Sequence, residues 1–500
     1  MTRTTGHAMR GLLLATLMFI APGLAKADWL RAESEHFEVY GQNEKALREY
    51  TTMLEDFDSL LRRLHGRPKD ETPLRKLPVY LVQNNKQLRR VWPGASDQIG
   101  GVYFSSVAEV FVVAVPDGDV ESSDQSLGDD TIFHEYVHHF MLQYYANAYP
   151  AWLIEGYAEY YMTADLRNRR LVVGGANLGR AYSLTQPGGW IAMSDVLTKR
   201  PFELKKGDVA AFYAQSWLLT HYILSDPERR GRLSPYLQAL RAGEEPVAAW
   251  KKIYGDDIKG LTGKLKAYLD RPLVGGMLPR QAALDVAMSI ERLPASANDL
   301  LLENQRLKLG GESPAPAALL ADVRAVAKAR PQDRFAQIVL ARAETLYGER
   351  SAGDAILEQL LKANRDDEEC LILLGESRLR ADNTDPAIRA GNFDEARKLF
   401  ARAFKVNPHN PLTLHGYADA RSATGPVDDN LLEIRLQSVM IAPQVGHFRM
   451  DAARAAIAVK DPDTARLILR PLAGSPHGGD EALAAVALLK EIDAADAKTP

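Results

Sequence analysis

The sequence predicts an α+β domain followed by an all-α domain of helical repeats. Three observations carry this reading. In the N-terminal part, short runs rich in β-branched and aromatic residues alternate with stretches of helical periodicity. At 269–279 the chain is dense in breakers (Pro272, Gly275, Gly276, Pro279), and beyond them everything looks helical. From about Pro331 the texture becomes repetitive.

Taken in order, His36-Phe37-Glu38-Val39-Tyr40 alternates as a strand does. Leu47, Tyr50, Leu54, Phe57 and Leu61 predict a long helix over 44–64. A strand follows at 77–82 and a short helix at 84–91. The β-rich runs at 100–104 and 110–115 can pair as a hairpin. The second of these admits two readings: an edge strand lining a cleft, to which a peptide adds by main-chain hydrogen bonds, or an internal core strand. An acidic loop at 117–128 leads to a helix with Phe133, Val137, Phe140, Met141 and Tyr144 on its buried face and Asp129, Asp130 and Thr131 as capping candidates. Pro150 suits the first turn of the next helix. The run 170–173 enters a Gly174-Gly175-Ala176-Asn177 turn, and helices are expected at 190–197 and 209–224. A second loop lies at 310–316. Gly391-Asn392-Phe393-Asp394-Glu395-Ala396, then Phe400, Ala403 and Pro408, resembles the second helix of a tetratricopeptide repeat. The next half-repeat starts at Pro411, with Leu414 and Ala418 as packing positions; looser matches occur over 340–361 and over 453–472, where Asp463, Ala465 and Leu469 fit. Gly375 and Ala396 are nine residues further apart than the consensus, which points to an insertion over 383–390. Such stacks form concave binding faces for a protein partner; the plainer alternative is a helical domain with no binding role.

Hydrophobic content of 46% and charged content of 25% are ordinary for a globular chain, and a net charge of −4 gives no reason to expect nucleic acid as a partner. Arg3 and Arg10, the short apolar run 11–20 and the small-x-small Ala25-Lys26-Ala27 read as a signal peptide cleaved near Ala27. The expected destination is the periplasm or the exterior; an uncleaved membrane anchor is the alternative. No later stretch is apolar for long enough to span a membrane. Cys370 is the sole cysteine, so no intrachain disulfide forms. It reads as a small buried apolar residue. The expected organisation is a signal peptide at 1–27, the α+β domain at 28–275, a helical linker at 276–330 and the repeats at 331–497.

The chemistry concentrates in His134-Glu135-Tyr136-Val137-His138. Residues four apart lie about 40° apart around a helix, so the two imidazoles leave one face and can converge on zinc. Glu135 sits too far round to be an easy ligand, and its position is that of a general base. Sixteen residues separate His138 from Glu155, and Trp152, Glu155, Gly156 and Glu159 share a face of the next helix. Glu155 is a candidate third ligand, leaving a fourth position open. Gly156 lets another helix approach closely. Glu159 is placed to hydrogen-bond the free nitrogen of a zinc-bound histidine. The alternative is a pair of satisfied core histidines and two surface glutamates. His139 points away from the pair and is expected to be exposed or capped.

Together the pentad and the Glu-Gly-x-Ala-Glu helix resemble the gluzincin metallopeptidases, most of all the peptidase MA-like domains of secreted bacterial proteins. The resemblance covers roughly 28–270. It implies a thermolysin-like zincin fold, Zn2+ held by His134, His138 and Glu155, Glu135 as base, and a peptide or protein substrate. The phrase Tyr213-Ala214-Gln215-Ser216-Trp217 is similar too. It makes Tyr213 the candidate donor to an oxyanion, with His221 in reserve; the alternative is a packing stripe of Tyr213, Trp217 and Thr220. The expected function is an exported zinc peptidase with a helical-repeat domain for substrate or partner. Two other readings stay open: a repeat-based binding or assembly factor whose zinc site is structural or vestigial, and metal-dependent hydrolysis of a non-peptide amide. Mass spectrometry of natively expressed protein should show a mature start at Asp28; an intact 1–27 segment would refute cleavage.

Overall fold

A computed structural model of the chain describes residues 28–496 apart from 69–70, 97–98, 117–126, 167–169, 280–284, 311–314 and 382–383. The signal-peptide reading, most of the acidic loop, the side chain of Asp129 and Asn383 lie outside the described residues. The N-terminal part runs β1 (Leu30–Glu33), β2 (Phe37–Gly41), α1 (Glu44–His65), β3 (Leu77–Leu81), α2 (Asn85–Val91), β4 (Gly101–Ser105), β5 (Val110–Ala114), α3 (Leu127–Tyr145), α4 (Ala151–Tyr161), β6 (Arg170–Val173), α5 (Leu178–Thr185), α6 (Met193–Thr198), α7 (Val209–Leu224), α8 (Pro227–Arg241), α9 (Pro246–Tyr254), α10 (Ile258–Leu269), β7 (Gly276–Pro279) and β8 (Ser289–Arg292). The helical remainder comprises α11 (Ala297–Leu309), α12 (Pro316–Ala329), α13 (Arg334–Tyr347), α14 (Arg350–Ala363), α15 (Glu368–Leu379), α16 (Pro386–Val406), α17 (Pro411–Ser422), α18 (Asp429–Ile441), α19 (Gly446–Ala458), α20 (Pro462–Ala473) and α21 (Gly479–Asp496). The protein is thus mostly helical with a small mixed sheet, and among the described residues no helix is long and apolar enough to cross a membrane.

Among the described residues the main sheet has the order β4-β5-β3-β2-β1-β8, with β2, β3 and β5 mutually parallel and the other pairs antiparallel. Both faces are covered. Phe37, Val39, Val79 and Val112 meet the apolar stripe of α1 and Phe133, Val137 and Phe140 of α3. Tyr80, Phe111 and Val113 on the other face meet α2 and α11. Burial on both faces explains why β3 and β5 read as continuous apolar runs. It also decides between the two readings of 110–115: β5 is internal, and the edge beside the metal-type helix α3 is β4.

Two expectations need correction. Residues 276–330 are not wholly helical. β7 pairs with β6, and β8 pairs with β1, so the sheets take strands from beyond residue 275. β8 is four residues long and mostly exposed, which left too weak an alternation to read. Pro150 stands at the N-cap of α4, just before its first turn.

A second core lies under α4, where Trp152, Phe212, Trp217, Tyr236 and Trp250 pack together across α4 and α7–α9. In the helical remainder, α12–α21 pack each on the next. Phe400 of α16 is fully buried in the space left by Gly375 and Gly416 on the flanking helices. The extra residues near 383–390 do not break the stack. They lengthen α16 to 21 residues, and its first turns are exposed. The last helices fold back on the α+β part: Val445, Phe448 and Leu472 belong to the same apolar cluster as Phe133 and Phe140. Ser105 Oγ donates to the Gln444 carbonyl (2.7 Å), and Gln444 Nε2 to Gln143 Oε1 (3.0 Å).

Gly156 is where α4 meets α7. A Cβ there would lie 2.2 Å from the Ser216 carbonyl oxygen and from Thr220 Oγ1. Backbone cannot rotate away, so the helices would have to part. Gly156→Ala should cost about 1–3 kcal/mol or more, the range of overpacked cores, read as a lowered midpoint in urea denaturation. An unchanged midpoint would refute the close packing.

Candidate metal centre

The helical register of α3 does what the spacing requires. His134 and His138 are buried with Nε2 atoms 3.1 Å apart and rings nearly perpendicular at 84°. α4 brings Glu155 across them, its Oε2 3.4 Å from His134 Nε2 and 3.5 Å from His138 Nε2. These three separations suit one face of a tetrahedron. Ligands at 2.0–2.1 Å from zinc stand about 3.3 Å from one another.

Glu155 supplies an independent test of fit. It is fully buried, and neither carboxylate oxygen has an aligned hydrogen-bond donor. A buried charge without donors is costly unless a counter-charge meets it. Burial pushes its carboxyl up, but His477, His138 and His134 outweigh that and hold it well below the usual carboxylate range. Burial depresses His134 too, yet Glu155, Glu159 and Glu135 leave it raised, while His138 is left lowered. The donor set, two imidazoles and a carboxylate, fits Zn2+.

Glu159, one turn beyond Glu155, is also fully buried, so neither glutamate is a surface residue. Its Oε1 lies 3.6 Å from His134 Nδ1, longer than a hydrogen bond. What holds it is a pair of residues that sequence reasoning did not single out. Arg180 donates through Nε (2.9 Å) and Nη2 (2.5 Å), and Asn177 donates through Nδ2 (3.0 Å). Asn177 also caps α5, accepting from the Arg180 amide. The Asn after two glycines was a legible cap; nothing local announced its reach to Glu159.

Tyr213 of α7 is brought to the centre, its ring 6.4 Å from that of His134 and the Arg180 guanidinium 5.2 Å from its centroid. Burial first, and then the nearby glutamates, push its hydroxyl well above the ordinary value, so it stays a protonated donor. His221 is not brought to the centre. Its Nδ1 is 2.8 Å from the Tyr268 hydroxyl, and its ring packs on Tyr160 and Trp217. His139 is capped, not exposed: its Nδ1 meets the Tyr103 hydroxyl at 3.1 Å, and burial drives its pKa down to about 3.

A further residue was missed altogether. His477, in the connection between α20 and α21, places Nε2 2.8 Å from Glu155 Oε1. Each of His134, His138, Glu155 and His477 offers a ligand atom, and the four atoms lie within 4.8 Å of one another. A lone histidine between Pro476 and Gly478 carries no periodic signal. The centre opens on a cavity of about 570 Å3 lined by β4, by Glu135 and His138 of α3, and by Leu472, His477 and Glu481 of the helical array.

Two other clusters resemble metal sites in composition only. In the cluster of His415, His447 and Asp451, His415 and Asp451 already meet the Arg435 guanidinium, whose Nη1 lies 2.9 Å from His415 Nδ1. His36, Glu55 and Asp58 form a buried charge network completed by Arg62, 2.6 Å from Asp58 Oδ2.

No protein-family profile and no curated protein matches the chain. Among solved structures, a thermophilic TPR protein of Thermus thermophilus is similar at 18% identity and a TM-score of 0.33, over 40% of this chain and 98% of that one. The description of α12–α21 as successive packed helices rests on their own packing.

Metal analysis of dialysed protein should find one zinc per chain, lost in Glu155→Ala and in His138→Ala. Arg180→Ala, which frees Glu159, should weaken zinc binding about 10–100-fold, the usual effect of removing support behind a ligand. Equal zinc in wild type and Glu155→Ala would refute the ligand set.

Proposed function

We propose that this protein is an exported zinc-dependent peptidase whose helical array lies over its own active site. The observation that carries the reading is the convergence of His134, His138 and Glu155 at zinc-ligand spacing, with Glu135 on the wall of the adjoining cavity. The gluzincin resemblance rests on the motifs and on this geometry alone.

A zinc ion held by these residues supplies a Lewis acid for the peptide carbonyl and activates water at neutral pH. The protein's own groups do the rest. Glu135 takes a proton from the attacking water and returns it to the leaving amine. Tyr213, kept protonated, donates to the oxygen that gains negative charge. Among the described residues β4 is the end strand of the sheet, and its main chain offers groups along which an extended peptide can lie. Glu159, fixed by Arg180 and Asn177, keeps a carboxylate 3.6 Å from His134 Nδ1.

The second reading is a binding or assembly factor in which zinc ties the helical array to the α+β part. One observation favours it. His477 makes four protein residues at the centre, and fully protein-ligated zinc sites are structural ones.

Glu135→Gln separates the two. The amide keeps the size of the side chain and removes the basic carboxylate. Zinc content should be unchanged, and hydrolysis of an unstructured peptide should fall at least about 10²–10⁴-fold, the worth of a placed general base. The same variant should fail to complement a deletion strain. Full complementation with zinc retained would favour the assembly reading and overturn the peptidase one.

A further inference from the structure

We infer that His477, carried by the connection between the last two helices of the array, is a fourth protein ligand of the metal centre, so that the helical array itself closes the site. The inference rests on the zinc reading given above.

Three features of the structure point to it. The first is direction. Glu155 turns Oε2 toward His134 and His138, and Oε1 toward His477 at 2.8 Å. The fourth imidazole therefore meets the carboxylate's second oxygen, its ring 5.3 Å from that of His138, and lines the cavity through which any outside molecule would enter. Zinc takes four ligands, of which α3 and α4 supply three.

The second is the way the connection is held. Arg200 Nη1 donates to the Ala473 carbonyl at 2.9 Å, fixing the end of α20. The next residue, Gly474, lies so near the α3–α4 connection that a Cβ would stand 2.9 Å from the Tyr149 carbonyl oxygen. Gln444, bonded to Ser105 and Gln143, pins the neighbouring connection between α18 and α19 to the same side of the cleft. The position of His477 is thus set by contacts that do not involve its own side chain.

The third is what His477 lacks. Its side chain keeps 51% of its surface open, because it projects into the cavity instead of into packed protein. Its ring contact is with His138, edge to face at 5.3 Å between centroids. Its charged neighbours are Glu155 and Glu135, both at the centre. The four ligand atoms spread to at most 4.8 Å, against about 3.3 Å between ligands of one zinc ion. A half-open side chain covers that difference by a small rotation.

The consequence is that substrate and the array compete for one position. The connection at 474–478 must withdraw before a peptide can reach the centre, and whatever draws the array away opens the site.

The test uses the full mature chain loaded with Co2+, which occupies zinc sites and absorbs visible light. In His477→Cys, a thiolate at position 477 should bind the metal and give an intense near-ultraviolet sulfur-to-cobalt band. Wild type should lack that band, because its one cysteine, Cys370, is buried in the core around α15. His477→Ala should bind zinc at least about tenfold more weakly, since losing a support behind a ligand already costs that much. At saturating zinc, His477→Ala should hydrolyse an unstructured peptide faster than wild type. Both changes fall on a half-open position, so far-ultraviolet circular dichroism should match wild type. Stoichiometric cobalt in His477→Cys without the sulfur band, together with wild-type zinc affinity in His477→Ala, would overturn the inference and leave the three-ligand zinc reading standing. A wild-type chain that binds no cobalt would overturn both.

Discussion

An ionised carboxylate at zero exposure has to be compensated, and Glu155 is the point on which this structure turns. Even after relaxation, burying such a charge costs several kcal/mol. Ordinary proteins meet the cost with aligned donors; Glu155 has none, and instead three imidazoles crowd its two oxygens. The arrangement makes sense around a divalent cation. Each neighbouring element can be read as serving that point. α3 supplies two imidazoles from one face. α4 supplies the carboxylate and reaches its place only because Gly156 lets it touch the backbone of α7. The tryptophan-rich core beneath α4 fixes the height of that helix against α3.

Around this centre lies a second ring of constraints. Glu159 is a second buried carboxylate, but it is fully met by Arg180 and Asn177. The contrast between the two glutamates, four residues apart on one helix, is informative. One has its donors in the protein; the other lacks aligned ones and faces three histidines. A merely structural ion-pair network has no reason to leave the second unsatisfied.

Much of this was legible in the sequence, because the signals were local. The pentad spacing placed both imidazoles on one face of α3, and the Glu-Gly-x-Ala-Glu helix placed Glu155 and Gly156 together. The periods of α1 and β2 also read directly, since each buries a well-defined stripe or face. The misses share the opposite property. β8 is a four-residue strand paired with β1 across more than 250 residues of chain, and its exposed side chains carry no alternation. Arg180 is an ordinary surface-type residue until the turn at 174–177 folds it under α4. His477 is a single residue in a Pro- and Gly-flanked connection, and only the return of the whole helical array brings it to α4. Tertiary closure over such distances leaves no mark in a local pattern.

The helical array and the candidate metal centre thus share one cavity: residues at the connections between α18 and α19 and between α20 and α21, among them Gln444, Gly446 and 475–478, wall the space that Glu135 also lines. On the proposed reading a peptidase built this way would be controlled by the position of its own last helices, and an assembly factor would be held shut by its metal. Both depend on one coordination shell, and X-ray absorption at the zinc edge of the full-length protein reads that shell directly. The account predicts four nitrogen or oxygen ligands at about 2.0–2.1 Å with the multiple scattering of three imidazoles. A shell with no more than one imidazole, or a chain that retains no zinc, would contradict it.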